Sequence, residues 1–220
     1  RTGGSMKYFV MCGGRYYAWK EPRQLTEING EPIVARTIRL LQENGVDDIA
    51  ISATDPRFNY FGVPVLSHEN RFDVRADHTV DCWVSAFYPT SEPACYIMGD
   101  VVFSPKAIKT IVETETKTIQ FFASCPPFAD AYIKPWAEPF AFKVVDQKRF
   151  RWAVDYCKRN LDTGVFRRHP IAWELWQVIN AEDPKRINYG NYIAINDYTC
   201  DVDDSFDAFK ISEAINQCGS

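Results

Sequence analysis

KYFVMCGG, residues 7–14, is an apolar run of strand length that ends at two glycines. This pattern predicts a buried strand that leads into a loop. Residues 32–44 then carry apolar side chains at helical spacing between Pro32 and Gly45, which suit the two ends of a helix. A second apolar strand is expected at residues 48–52. Strand, helix and strand in this order form a βαβ unit, which implies a parallel sheet with a right-handed crossover.

The alternation of strands and helices continues along the chain. Further strands are expected at residues 63–66, 94–98, 119–123, 140–145 and 192–195. Further helices are expected at about residues 104–112, 147–160, 171–179 and 205–217. The sequence therefore predicts a three-layer α/β/α fold with a mostly parallel, Rossmann-like sheet.

We expect a single domain over residues 6–220. Residues 1–5 precede Met6 and resemble the remnant of a cleaved expression tag. Residues 124–139 are rich in proline and aromatic residues, so this segment is expected to form an excursion from the sheet.

The composition argues against several classes of protein. With 25 basic and 29 acidic residues the net charge is −4, whereas a nucleic-acid-binding protein would carry a basic excess. The sequence has no run of about 18 apolar residues, so no membrane partner is expected. Its seven cysteines are odd in number and form no CxxC pair. They indicate reduced thiols in a cytoplasmic protein and not a disulfide framework or a zinc site.

The loop after the first strand combines glycines with cations. Gly13 and Gly14 lack a Cβ, so backbone N–H groups in this loop can approach a phosphate closely. Three cations follow: Arg15, Lys20 and Arg23. The glycine spacing is neither that of a Walker A loop nor that of a GxGxxG motif. A glycine turn with a solvated basic loop is the alternative interpretation.

Acidic residues stand at two further positions of interest. Asp100 follows the strand at residues 94–98, and open parallel sheets bind ligands at the carboxyl ends of their strands. Asp201 and Asp203 flank Val202, and in an extended segment this alternation puts both carboxylates on one face. Carboxylates that face a cleft are suited to hold a divalent cation. Capping of the neighbouring helix is the alternative role for these acids.

Taken together, these segments resemble the GT-A-like nucleotidyltransferase superfamily, which includes nucleoside-diphosphate-sugar pyrophosphorylases and cytidylyltransferases. The resemblance extends over nearly all of residues 6–220. It is carried, in family order, by GG at 13–14, PRQL at 22–25, NGEPI at 29–33, NGVDDI at 44–49, YIMGDV at 96–101 and CDVDDSFD at 200–207. TVDCW at 79–83 stands where cytidylyltransferases carry an Arg-x-Asp-Ser-Val-like stretch.

The resemblance implies a GT-A-type sheet and the transfer of a nucleoside monophosphate, favouring CTP as donor, to a small phosphorylated acceptor, with release of pyrophosphate. Mg²⁺ is the implied cofactor, with Asp100 and Asp203 as its ligands and Asp201 as the alternative to Asp203. The resemblance implies that the catalytic residues are Arg15, Lys20 and Arg23. They would bind the triphosphate and stabilise the charge on the departing pyrophosphate. The implied nucleotide-binding residues are Cys12, Gly13, Gly14, Asp81 and Cys82.

The acceptor site is expected to come from other segments. The adjacent cations Arg167 and Arg168 suit an anionic acceptor, although a solvated basic turn is the alternative. Lys143 is a further acceptor-binding candidate, and Lys134 lies in the segment 124–139, which would form a wall of the pocket. The family's uses suggest surface polysaccharide or capsule modification. The same segments resemble capsule-modifying cytidylyltransferases, including those that act on phosphoglutamine.

Other functions stay open at this point. A sugar-1-phosphate nucleotidyltransferase would use another nucleoside triphosphate in the same site. A GT-A glycosyltransferase would need an Asp-x-Asp motif after the middle strand, where this sequence has GDVV at 99–102. A non-catalytic nucleotide sensor would need the glycine loop but not a second carboxylate. A homodimer is compatible with each of these functions.

Overall fold

The computed structural model describes residues 6–14, 21–75, 78–125, 134 and 136–218, with the side chains of residues 72–80 left out. The strands, in chain order, are β1 (Lys7–Met11), β2 (Glu27–Ile28), β3 (Glu31–Pro32), β4 (Ile49–Ser52), β5 (Val65–Leu66), β6 (Arg71–Arg75), β7 (His78–Asp81), β8 (Ala94–Met98), β9 (Val101–Val102), β10 (Ile119–Ala123), β11 (Pro139–Val144), β12 (Ile193–Ala194) and β13 (Cys200–Asp201). The helices are α1 (Ile33–Glu43), α2 (Pro105–Glu113), α3 (Gln147–Arg159), α4 (Ala172–Ile179) and α5 (Ser205–Cys218).

The main sheet has the strand order β12–β10–β11–β8–β1–β4–β5. β1 lies between β8 and β4 and pairs in parallel with both, and β5 continues the parallel part beside β4. β12 is parallel to β10, whereas β11 runs antiparallel to both of its neighbours. Helix α1 packs against α2, and α3 packs against α4. The predicted three-layer, mostly parallel, Rossmann-like fold is confirmed.

Local sequence explains where the helices begin and end. The side-chain oxygen of Ser104 caps α2 by accepting the Ala107 N–H at 2.9 Å, and Pro105 follows in the first turn. Asp146 caps α3 in the same way. Gly45, with a φ of 78°, follows the end of α1 in the left-handed region that favours glycine. Among the described helices, none combines the length and the apolar composition that crossing a bilayer requires.

A small apolar cluster beneath α5 is separate from the main core. It contains the fully buried Val202, together with residues of β2, β9 and α5. Because Val202 points into this cluster, its neighbours Asp201 and Asp203 are directed away from it. The cluster therefore fixes the acidic segment near the carboxyl end of the main sheet.

Candidate functional site

A cleft of about 430 Å³ opens beside the carboxyl ends of β1 and β8. Met11 and Met98, which are paired in these two strands, both line it. The other lining residues are Gly13, Gly14, Arg23, Gln24, Asn70, Asp81, Cys82, Trp83, Ala86, Gly99, Asp100, Asp201 and Asp203. Among the predicted site residues that the structure describes, those that line the cleft are Gly13, Gly14, Arg23, Asp81, Cys82, Asp100 and Asp203.

Close approach of backbones explains two of the glycines at this site. The Gly99 N–H donates to the Met11 carbonyl at 3.0 Å, and a Cβ on Gly99 would overlap that same oxygen. A Cβ on Gly13 would lie 2.7 Å from the His68 carbonyl oxygen. Gly14 differs, because no described atom lies within 4 Å of where its Cβ would be. As far as the described residues extend, this side of its backbone is open. Cys12 is buried at the end of β1 and is not a lining residue.

Backbone pairing brings Asp100 to the acidic segment near the C-terminus. β9 begins directly after Asp100 and pairs with β13, so that Val101 lies opposite Asp201. The Val202 N–H then donates to the Asp100 carbonyl at 2.9 Å. Asp100, Asp201 and Asp203 consequently line the same cleft.

Two cations lie among these carboxylates. Nη1 of Arg23 donates to Oδ1 of Asp203 at 2.6 Å. Nζ of Lys134 donates to Oδ1 of Asp201 at 2.7 Å and to Oδ2 of Asp203. The Lys134 side chain is only 5% exposed, so it is largely removed from water.

Burial and crowding of like charges change the pKa values in this acidic cluster. Burial raises the pKa of Asp201 to about 7, and the nearby Asp100 carboxylate adds to the rise. Burial likewise raises the pKa of Glu138 to about 8, with Asp201 adding to it. Burial also raises the pKa of Asp100, while Arg23 opposes the rise. Burial alone would lower the pKa of Lys134, but Asp201, Asp203 and Glu138 together outweigh it and raise that pKa above its ordinary value.

The residues present fit a divalent metal such as Mg²⁺. Carboxylate oxygens are its preferred protein ligands, and in the described part of the chain several partly desolvated carboxylates face two cations, Arg23 and Lys134. Among the described residues, no group of three or more acidic, histidine or cysteine side chains is placed to hold a metal ion by itself. Mg²⁺ in proteins is bound through one or two carboxylates, and substrate phosphates and water complete its shell.

The structure corrects the acceptor-binding prediction for Lys143. This residue lies in β11, and its side chain is buried. Its Nζ donates to the carbonyl oxygens of Ile111, Val112 and Thr114 at 2.9, 2.8 and 2.7 Å. Because these carbonyls belong to the C-terminal end of α2, the ammonium caps that helix and has no hydrogen left for an acceptor.

The arginine pair also lies away from the cleft. Arg167 and Arg168 are exposed, and neither is among the lining residues. Nε of Arg168 pairs with Oε1 of Glu174 at 2.7 Å, and the other oxygen of Glu174 accepts the Ile171 N–H at the start of α4. The observed contact of Arg168 is therefore with a helix-capping carboxylate.

Some predicted residues fall outside the described part of the chain. They are Arg15, Lys20 and most of the segment 124–139. Their assignment to the triphosphate and to the acceptor remains a prediction from the sequence.

Asn70 is a cleft residue that the sequence motifs do not predict. Its N–H donates to the Gly13 carbonyl at 3.2 Å, and its carbonyl accepts the Cys82 N–H at 2.9 Å. Asn70 thus joins the glycine loop to the segment that carries Asp81 and Cys82. Its side-chain oxygen is buried and has no hydrogen-bond partner among the described residues. No local pattern reveals this role, because both contacts are made by backbone atoms across the fold.

Comparison with known proteins adds information on the fold. The sequence matches no protein-family model and no curated protein. Rv0371c from Mycobacterium tuberculosis H37Rv has a TM-score of 0.54 and 15% identity, over 97% of this chain and 100% of that one. Its homologue from Mycobacterium sp. strain JC1 gives a TM-score of 0.55 and 14% identity, over 98% of each chain.

A third similar structure is the inositol-1-phosphate CTP transferase from T. maritima. It has a TM-score of 0.54 and 14% identity, over 99% of each chain. The fold is shared along the whole length. At this identity the likeness shows the fold alone.

Proposed function

We propose that this protein is a metal-dependent nucleotidyltransferase that joins a nucleoside monophosphate to a small phosphorylated acceptor and releases pyrophosphate. The observation that carries the proposal is the convergence of Asp100 and Asp203 beside Gly13 and Gly14, at the carboxyl end of the sheet. The fold shared with a CTP transferase supports it.

The proposed reaction needs positioning and charge stabilisation more than covalent chemistry by the protein. An oxygen of the acceptor phosphate attacks the α-phosphorus in line and forms a new P–O bond. The bond from the α-phosphorus to the oxygen bridging it to the β-phosphorus breaks, and pyrophosphate leaves with the electron pair. Arg23, with Arg15 and Lys20, would bind the triphosphate and stabilise the charge on pyrophosphate.

Asp100 and either Asp203 or Asp201 would hold the metal against the α-phosphate. Bound there, Mg²⁺ would supply Lewis-acid polarisation of the phosphoryl group. The open face of Gly14 leaves backbone accessible for the phosphates, which favours a triphosphate ligand.

We further propose that the nucleotide is CTP. Gln24 and Asn70 line the cleft, and their side-chain oxygens are buried without a hydrogen-bond partner in the described part of the chain. Such oxygens suit a base that carries an exocyclic amino group, as cytosine, adenine and guanine do and uracil and thymine do not, and the resemblance to cytidylyltransferases favours cytosine among the three. Asp81 and Cys82 lie in the same cleft and are the further base contacts in this proposal.

The acceptor is proposed to be a small phosphate or phosphonate compound used in surface polysaccharide or capsule modification, with phosphoglutamine as the narrow choice. Phosphoglutamine carries an α-amino group that needs an acidic partner. Oε1 of Glu138 lies 4.0 Å from Nζ of Lys134, which also contacts Asp201 and Asp203, and Glu138 is our candidate for that partner. Glu174 is less suited, because both of its oxygens are bound within the α4 cap.

A pyrophosphate-release assay tests the proposed function. CTP, UTP, GTP, ATP and dTTP would each be paired with phosphoglutamine, glycerol phosphate, phosphocholine and a pentitol phosphate, with and without Mg²⁺. We expect Mg²⁺-dependent release with CTP. Preference for a nucleotide other than CTP would contradict only the assignment of cytosine as the base. Turnover of a polyol phosphate but not of phosphoglutamine would contradict only the choice of phosphoglutamine as acceptor. If nucleotides bind but none of the pairs releases pyrophosphate, the result would instead indicate a nucleotide sensor and contradict the proposal.

A further inference from the structure

Lys134 has surroundings that are unusual for a lysine. Its side chain is 5% exposed, and Nζ lies 2.7 Å from Oδ1 of Asp201 and 3.4 Å from Oδ2 of Asp207, in addition to its bond to Oδ2 of Asp203. An ammonium loses hydration when it is buried, and that loss has to be offset by nearby negative charge. Lys134 is therefore held as an internal cation of the acidic cluster, although it is distant in sequence from these aspartates.

Cations of the chain already occupy both oxygens of Asp203. Oδ1 accepts from Arg23 and Oδ2 accepts from Lys134. Asp201, the alternative second ligand, also accepts a hydrogen bond from Nζ of Lys134 through Oδ1. A divalent metal coordinates carboxylate oxygens directly, at about 2.0–2.1 Å for Mg²⁺. The metal and the Lys134 ammonium would thus use the same two carboxylates.

We propose that Lys134 is a resident counter-cation that competes with the divalent metal for Asp201 and Asp203, so that metal binding displaces its ammonium from the acidic cluster. The inference rests on the proposed function only for the position of the metal site. Lys134 is the stronger competitor of the two cations, because it binds both candidate ligands whereas Arg23 binds a single oxygen of Asp203.

The charge balance of the cluster supports this exchange. Among the described residues, five carboxylates, those of Asp100, Glu138, Asp201, Asp203 and Asp207, are placed close to three cations, Arg23, Lys134 and Lys210. When all are ionised the cluster keeps a net negative charge, so replacing a monovalent ammonium with a divalent ion improves neutralisation. Lys134 in turn limits repulsion among the carboxylates while no metal is bound.

Metal titration of a charge-removing variant tests the proposal without any turnover. Mn²⁺ binding would be followed by electron paramagnetic resonance in alkaline buffer, where the carboxylates are ionised, and without nucleotide. We expect Lys134→Gln to bind Mn²⁺ about tenfold or more tightly than the wild type, because a competing charge at ion-pair distance is removed.

Lys210→Gln is the matched control. Nζ of Lys210 lies 3.7 Å from Oδ1 of Asp207, and Asp207 is not one of the proposed metal ligands, so removal of the Lys210 charge should change the Mn²⁺ Kd by less than about twofold.

A second measurement uses the wild-type protein and does not depend on the folding of a variant. Amine-reactive labelling read by mass spectrometry would compare Lys134 with and without saturating Mn²⁺. We expect the metal to raise the labelling rate of Lys134 severalfold and to leave Lys143 unchanged, because Lys143 is held by carbonyl oxygens away from the cleft. Mn²⁺ affinity that is unchanged or weaker in a folded Lys134→Gln variant, or Lys134 labelling that Mn²⁺ does not raise, would overturn the proposal.

The two proposals fail in distinguishable ways. If Lys134→Gln tightens Mn²⁺ binding but no nucleoside triphosphate releases pyrophosphate, the proposed function is wrong and the competition stands. If transfer occurs but neither Mn²⁺ affinity nor labelling responds as described, the competition is wrong and the proposed function stands.

Discussion

Asp203 is one of the carboxylates whose charge the proposed reaction depends on. Its side chain is 45% exposed and pairs with two cations, so it fills no core space. Asp203→Asn keeps the shape and removes the charge. We expect turnover to fall about 100-fold or more, with little change in melting temperature. Asp204→Asn is the matched control, because Asn can still accept the Asp207 N–H that Oδ1 of Asp204 accepts at 2.9 Å. Equal losses in both variants would contradict a special role for Asp203.

The partly buried His68 is expected to make the stability of the protein depend on pH. Its Nε2 lies 2.6 Å from the Ser85 carbonyl, and burial lowers its pKa from the ordinary 6.5. Because the unfolded chain binds this proton more readily, stability falls as pH drops through 6.5 towards the folded-state pKa. We expect the melting temperature to fall more steeply between roughly pH 7 and pH 5 in the wild type than in His68→Gln. Identical slopes in the two proteins would show that this histidine has no such effect.

Among the elements, the pairing of β9 with β13 positions the carboxylates, and Ser104 secures that pairing from one side. Its Oγ caps α2 and donates to Oδ2 of Asp197 at 2.5 Å, while its N–H donates to the Thr199 hydroxyl at 3.0 Å. We expect Ser104→Ala to lower the free energy of unfolding by about 1–2 kcal/mol in urea denaturation. Thr110→Ala in the same helix removes only an exposed bond to the Lys106 carbonyl and should cost less than about 0.5 kcal/mol. A loss no larger in Ser104→Ala than in Thr110→Ala would contradict this role.

The long strand β8 could be predicted from sequence, whereas the short strands β9 and β13 could not. β8 is an apolar run buried along its whole length, and its observed bounds are those predicted. β9 and β13 have two residues each, too few to carry a periodicity, and their pairing is set by contacts across the fold. The Asp-Val-Asp pattern at 201–203 nevertheless predicted that Asp201 and Asp203 share a face. The prediction succeeds because the burial of Val202 directs both of its neighbours away from the small apolar cluster.

The roles of individual lysines were the least predictable from sequence. Lys143 and Lys134 were both weighed for the same acceptor pocket, yet one caps α2 and the other enters the acidic cluster. A long flexible side chain takes its partner from the fold and not from its neighbours in sequence. Lys143 finds its partners because the C-terminal end of α2 lies beside β11. Lys134 finds its partners because the acidic segment at Asp201 and Asp203 lies within its reach.

For the molecule as a whole, the cleft exists only when distant parts of the chain are folded together. The glycine loop, Arg23, the Asp81 segment, Asp100 and the acidic segment all meet at one edge of the sheet. The strands that carry this edge lie at the centre of the sheet order, with β1 between β8 and β4. Such a central position at the carboxyl ends of parallel strands is where open α/β sheets bind ligands.

The most direct test of a metal-assisted nucleotide site is a crystal structure with Mn²⁺ and a non-hydrolysable CTP analogue, using anomalous scattering to locate the metal. We predict one Mn²⁺ peak within coordination distance of Asp100 and of Asp203 or Asp201, with the triphosphate beside Gly14 and Arg23. A metal bound away from these carboxylates, or a nucleotide bound outside the cleft, would contradict the proposed site.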